Sequence, residues 1–181
     1  GATEFEASLL KRSLFKTTTE RGKFTGLGLY DKFMVLPSHA CPTSTVTFEG
    51  KTYKVTEMQN LCNDAGQLEI TVVKIDRPVN FRDIRNFLPD HFSSVKCNLL
   101  VNSDMFPDTV LDVGRVSMFG YLNLSYRSVY NTCTYMYPTR IGQCGGVLVS
   151  DSNKIVAIHI GGDGCNGYGA ILTRRMFASV Q

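Results

Sequence analysis

No apolar run in the 181 residues approaches the roughly 18–20 that a membrane-crossing helix needs, so no membrane span is expected. No secretory hydrophobic segment opens the sequence either. No two of the six cysteines, at 41, 62, 97, 133, 144 and 165, stand two or four residues apart, which excludes a compact zinc knuckle. Nor does a chain of this length, 43% hydrophobic, need disulfide staples to hold a core. The thiols are therefore expected to be reduced, in a cytosolic setting, with no metal and no cofactor. Neither sign of charge is in large excess: 19 Lys and Arg stand against 16 Asp and Glu, a net charge of +3. Any binding to nucleic acid must then come from local clusters of cations rather than from the overall field. Histidine is scarce, with only His39, His91 and His159, so the field of candidate bases is short.

What is present is mostly short β-rich stretches. The opening "GATEFEASLLKRSL" has Thr3 three residues before Glu6, a capping-box spacing, and predicts one short N-terminal helix. From Phe15 onward come "FTGLGLY", "DKFMVLP", "STVTFEGKTYKVTE" with Glu49-Gly50 as a hairpin turn, and "QLEITVVKI". The polar interval "DRPVNFRDIRNFLPDHFSS" interrupts them. A second series follows, "VKCNLLVN", "TVLDVGRVSMFGYLNL", "RSVYNTCTYMYP", "GGVLVS", "NKIVAIHIGG" and "YGAILT", before "RRMFASVQ" suggests a terminal helical turn. With no long helix between successive strands, a parallel βαβ sheet is disfavoured and an all-β chain of paired antiparallel barrels or a sandwich is expected.

The chemistry centres on "GQCGG". Its glycines allow a tight loop in which the amides of Gly142, Gln143 and Cys144 converge, which suits a nucleophile with an oxyanion site; a small packed cysteine fits the same letters. His39, in "VLPSHA", falls where a strand ends and a loop begins, a usual place to present a base. His91 lies in the polar interval and reads as a surface residue. His159, inside the apolar "IVAIHIGG", reads as a neutral core histidine or as a base. Glu69, in "GQLEITVVKI", is either an acid that orients an imidazole or the solvated position of an edge strand. The order base, acid, nucleophile along the chain is that of chymotrypsin-like proteases.

Taken together, "FTGLGLYD", "VLPSHA", "LEITVVKID", "FRDIRNF", "YPTRIGQCGGVL" and "IHIGGDGCNGYGAIL" resemble the picornaviral 3C cysteine proteases, nearest the enterovirus and rhinovirus branch, over nearly the whole chain. The resemblance implies one protease unit with two six-stranded antiparallel chymotrypsin-like β-barrels and short helices at both ends. Its expected boundaries are 1–76 for the N-terminal helix and first barrel, 77–98 for a linker, and 99–181 for the second barrel and C-terminal helix. It implies His39 as general base and acid, Glu69 as its orienter, Cys144 as nucleophile, and the backbone of Gly142, Gln143 and Cys144 as oxyanion hole. Thr139 and His159, the latter held by Tyr135, would read a substrate glutamine, and Gly161 and Gly162 would pair with the extended substrate. The implied partners are the viral polyprotein, viral RNA and host protein substrates, in the host cytoplasm. The ends Gly1 and Gln181 suit excision by cleavage between Gln and Gly.

The family also carries an RNA-binding motif matching "FRDIR", which implies a basic site of Arg82, Asp83 and Arg85 with Lys11 and Arg12 of the helix. Asn80 stands where the family usually has lysine. The residues alone fit a solvated linker with Arg82 and Asp83 paired. Two other readings stand beside the protease: an RNA-binding module on a protease-like scaffold without hydrolysis, and a cellular chymotrypsin-like enzyme, which the cysteine disfavours.

Overall fold

A computed structural model describes residues 2–180; Gly1 and Gln181, on which the reading of the ends rests, lie outside the described residues. Helix α1 spans Glu4–Arg12. The Thr3 hydroxyl accepts from the Glu6 amide at 3.1 Å and the Glu6 carboxylate accepts from the Thr3 amide at 3.0 Å, so the predicted capping box is formed. Glu6 is buried and also accepts from Asn98 Nδ2 at 3.0 Å, which seats the helix on the second barrel.

The first barrel comprises β1 (Leu14–Thr19), β2 (Gly22–Tyr30), β3 (Phe33–Pro37), β4 (Thr45–Phe48), β5 (Lys51–Cys62) and β6 (Gln67–Ile75), closed in the order β1-β2-β3-β6-β5-β4. The second comprises β7 (Val95–Val101), β8 (Thr109–Asn123), β9 (Ser128–Tyr135), β10 (Val147–Ser150), β11 (Ile155–Gly162) and β12 (Gly167–Ile171), in the order β10-β11-β12-β9-β8-β7. Each pairing is antiparallel, and closure removes the exposed edges that open sheets present. Glu49 and Gly50 both have positive φ, 53° and 73°, as a two-residue hairpin loop with matching twist requires.

The near-continuous apolar strands have a simple cause: each is buried on two faces. On β7, Leu99 and Val101 point into the second barrel beside Val116, Tyr135 and Leu148, while Leu100 points the other way, into a cluster shared by the two barrels. That shared cluster joins Leu27, Leu68 and Ile70 of the first barrel to Val147, Ile158 and Ile160 of the second. It fixes how the barrels meet, and the cleft lies along the seam.

One detail differs from the expectations drawn from sequence. β7 starts at Val95, paired with Val116, so the second barrel begins before position 99 and the linker is shorter than 77–98. The C-terminal segment makes the expected helical turn as a 3₁₀ turn, Arg175–Phe177, anchored by burial of Phe177 and Val180.

Candidate active site

His39 sits in a 3₁₀ turn, Ser38–Ala40, directly after β3, and β3 lies beside β6, which carries Glu69. The Glu69 side chain is 0% exposed and His39 is 25% exposed. One carboxylate oxygen of Glu69 accepts from the His39 backbone amide at 2.8 Å and lies 2.7 Å from His39 Nδ1. His39 is thus held at two points, its backbone amide and Nδ1, and the charge of Cys144 acts on the ring. The edge-strand reading of Glu69 fails because β6 is flanked by β3 and β5 and is buried from Leu68 to Val73.

Two residues not singled out from the sequence complete this cluster. The hairpin joining β8 and β9 closes with Leu124 N–H donating to Arg127 O at 2.8 Å. Its tip reaches across the cleft from the second barrel. The Tyr126 hydroxyl donates to the same Glu69 oxygen that holds His39, and Arg127 Nη2 donates to the other Glu69 oxygen at 2.6 Å, with Nε at 3.2 Å. Burial alone would raise the Glu69 pKa, but the bonds from His39, Tyr126 and Arg127 outweigh it and the carboxyl titrates below its usual value. Burial likewise opposes charge on His39. The partners Cys144 and Glu69, by hydrogen bonding and charge, prevail and raise its pKa to about 9. Phe24 covers the ring edge-on, 5.6 Å between centroids.

Cys144 belongs by sequence to the second barrel yet packs on the apolar cluster of the first, which includes Phe24 and Met34. Its carbonyl accepts from Thr25 N–H at 3.1 Å. The glycines on either side are required by space as well as by conformation. Gly145 has φ +90°, and a Cβ there would fall 1.9 Å from the Thr25 carbonyl oxygen. β11 holds the loop from the other side, with Gly145 N–H donating to His159 O at 2.8 Å and His159 N–H to Gly146 O at 2.7 Å. Of the three amides expected to converge, that of Gln143 turns away and donates to Arg140 O at 3.3 Å, closing a tight turn. Among the described residues, the amides of Gly142 and Cys144 have no acceptor.

His159 is 1% exposed. Tyr135, also buried, bonds its Nδ1. Burial first, and the nearby His39 second, lower the His159 pKa to about 3, so the ring is neutral at any physiological pH. Thr139 lies against Gly162, where a Cβ would come within 2.3 Å of its hydroxyl, and Tyr135 lies against Gly167 in the same way. Thr139 is therefore in contact with the end of β11, the strand that carries His159, Gly161 and Gly162 and whose His159 backbone bonds the loop presenting Cys144.

The basic residues lie elsewhere. Asp83 pairs with Arg85, not Arg82: Nε and Nη2 of Arg85 donate to the two Asp83 oxygens at 3.0 and 2.8 Å, a fork the adjacent backbone turn allows. Arg85 also covers the Tyr30 ring at 3.6 Å. Arg82 donates to Ser8 Oγ of α1 at 2.8 Å, so the linker is tied to the helix that ends in Lys11 and Arg12. His91 is exposed. All six cysteines are free, and no cluster of three or more metal-ligating side chains occurs among the described residues. No described helix is long and apolar enough to cross a membrane.

A double barrel with histidine and a buried glutamate from one lobe, and a thiol on a glycine turn from the other, defines the class: a chymotrypsin-like cysteine peptidase. Comparison with known proteins gives the family. Residues 1–164 match the family model of the 3C cysteine protease (picornain 3C), and the chain belongs to that family. It is 41% identical over 180 residues to the genome polyprotein of human rhinovirus 3 and 39% identical over 180 residues to that of poliovirus type 2 (strain Lansing). These alignments cover 99% and 98% of this chain but only 8% of either polyprotein. The HRV-C 3C protein with rupintrivir superposes with a TM-score of 0.92 at 39% identity, over 97% of this chain and all of that one. Tobacco etch virus protease shares the fold alone, with a TM-score of 0.67 at 16% identity over 98% of this chain and 79% of that one.

Proposed function

We propose that the chain is an endopeptidase that cuts the viral polyprotein, and host proteins as well, between Gln and Gly at replication sites in the host cytoplasm. His39 carries its proton before the reaction, and Cys144 Sγ attacks the glutamine carbonyl carbon as a thiolate. The oxyanion forms beside the amides of Gly142 and Cys144. His39 returns the proton to the leaving amine, the C–N bond breaks, and a thioester remains. Water, deprotonated by His39, then attacks the thioester and releases the new carboxylate. Glu69 stays ionised throughout and holds the imidazolium in place.

The observation that carries the glutamine preference is the buried, neutral His159 bonded to Tyr135. The Tyr135 hydroxyl faces both His159 Nδ1 and Tyr168 O, the latter at 3.1 Å; the tautomer that serves this reading has the Tyr135 proton on the Nδ1 side, so that the ring proton sits on Nε2 and is offered to an amide oxygen. The Thr139 hydroxyl adds a second polar contact. A glutamate side chain would bring a charge into a pocket whose histidine supplies no counter-charge, at the full cost of desolvation. A peptide with glutamate in place of the glutamine is therefore expected to lose about 10³-fold in kcat/KM. Cleavage of the two peptides within ten-fold of each other would sink this reading.

A second activity, binding of viral RNA on the face carrying α1 and the linker, is favoured by the bond from Arg82 to Ser8, which gathers Lys11, Arg12 and Arg82. Where the family usually has lysine, Asn80 instead accepts from Lys32 at 2.6 Å, which keeps a cation at that position. Replacing Arg82 and Arg85 by alanine is expected to weaken RNA binding and to reduce the slope of log affinity against log salt by about 0.7–0.9 for each phosphate no longer neutralised. Peptide cleavage should remain within two-fold, and loss of both activities together would contradict separate sites.

A further inference from the structure

The turn that carries the two free amides has an outside support, and it comes from the segment between β7 and β8. Ser103, 2% exposed, occupies its centre. The Ser103 hydroxyl accepts from Phe106 N–H at 3.2 Å and donates to Gly142 O at 2.8 Å. Because a carbonyl oxygen can only accept, the single hydroxyl proton is committed to Gly142 O, while a lone pair takes the Phe106 amide. The same segment is tied to the first barrel, with Asn102 N–H donating to Thr25 Oγ1 at 3.0 Å and Asn102 Nδ2 to Leu14 O at 2.9 Å. Met105 lies on Gly142, where a Cβ would come within 2.8 Å of its sulfur.

Gly142 needs such a support. It has φ +97°, in a region where glycine has several backbone states of similar energy, and the neighbouring Ile141 is 87% exposed and packs on little. The Gly142–Gln143 peptide group itself makes one other hydrogen bond, the long Gln143 N–H to Arg140 O contact, although the buried Gln143 side chain accepts from Arg140 N–H at 2.8 Å. If that peptide turned over, its carbonyl oxygen would leave Ser103 and point to the other side of the turn, toward the amides of Gly142 and Cys144. A carbonyl there would oppose the negative charge that develops on the substrate oxygen.

We propose that Ser103 is a positioning residue for the oxyanion site: it holds the Gly142 carbonyl away from the place where the charge forms. The inference rests on the assignment of Cys144 and its loop under the proposed function. It predicts a defect in stabilising the tetrahedral intermediate, with none in binding the peptide or in the thiol itself.

The test compares two reagents on the wild type and on Ser103→Ala. A glutamine-bearing peptide aldehyde adds to the thiol to give a tetrahedral adduct that uses the oxyanion site. Iodoacetamide alkylates the thiol by displacement of iodide and uses no such site. In Ser103→Ala, kcat is expected to fall about 10- to 100-fold with KM within two-fold, and aldehyde affinity to fall in parallel, while the alkylation rate stays within two-fold. Ser103→Thr, which keeps the donor, should restore kcat to within a few-fold of the wild type. Unchanged kcat and aldehyde affinity in Ser103→Ala, or equal losses in aldehyde affinity and alkylation, would overturn the proposal. If the alanine variant does not fold, Ser103→Cys, with its weaker donor, must show the same split between reagents. A wild-type protein that neither binds the aldehyde nor loses alkylation on Cys144→Ala would instead refute the underlying site assignment.

Discussion

Cys144→Ala is expected to lower turnover of a Gln-Gly peptide by at least about 10⁴-fold while leaving peptide affinity nearly intact, because the nucleophile is removed and the pocket is not. The Thr139, His159 and Gly162 contacts do not involve the thiol. Loss of the sulfur also leaves the Gly142 and Cys144 amides in place. His39→Ala should cost nearly as much, and the double variant little more than either alone, since the two residues act as a unit. Equal cleavage by the wild type and Cys144→Ala would remove the nucleophile assignment, and fully additive losses would show that the two act independently. The pH profile adds a separate check. His39 keeps its proton up to about pH 9, and in the proposed reaction that proton is the one delivered to the leaving amine. Cleavage should therefore decline as pH rises through about 9, where deprotonated His39 no longer serves as acid; a decline centred near the ordinary histidine value would contradict the charge environment of the site.

The parts of this site visible in the sequence are those with a short-range cause. Gly142, Gly145 and Gly146 mark a turn because the backbone there needs positive φ or has no room for a Cβ, and such demands are written locally. The twelve strands are legible for the same reason, through apolar runs broken by turn signals. Glu69 is ambiguous in sequence because strand alternation says which residues share a face but not whether that face is covered. Only the flanking by β3 and β5 decides it. Tyr126 and Arg127 carry no readable signal: a polar pair at a hairpin tip is ordinary, and its meaning comes from a neighbour 57 or 58 residues earlier. The Gln143 amide and the Asp83 partner depart from expectation for a related reason. Local sequence leaves several turn geometries open, and packing selects one.

Arg127→Ala is expected to be the most destabilising substitution of a partly exposed residue in the cleft. Arg127 is 26% exposed, but Glu69 is fully buried, and one of its two oxygens bonds to Arg127 alone. Removing one member of a buried pair strands the other, at about 3–5 kcal/mol. His39 and Tyr126 cannot compensate, because they already bond the opposite oxygen. The carboxyl would respond by taking up a proton at higher pH, and a neutral acid no longer holds His39 as an imidazolium. Stability is the first readout: the variant should lose it at neutral pH, and Glu69→Gln in the same chain should recover a good part, since an amide tolerates the missing cation. A double variant no more stable than Arg127→Ala would place the loss in hairpin packing instead. The sign of the acid dependence follows from the lowered carboxyl: in the wild type Glu69 contributes stability above the unfolded carboxyl value, and this is lost as pH falls through the lower folded value. In Arg127→Ala that loss should begin at higher pH, and the acid side of the activity profile should move with it. Because Arg127 also donates to Leu68 O at 2.9 Å and to Gln67 Oε1 at 3.1 Å, the same side chain fastens the hairpin of the second barrel to a strand of the first. Catalytic charge and closure of the cleft are thus held by one guanidinium, so activity is expected to fall more steeply than stability alone would require.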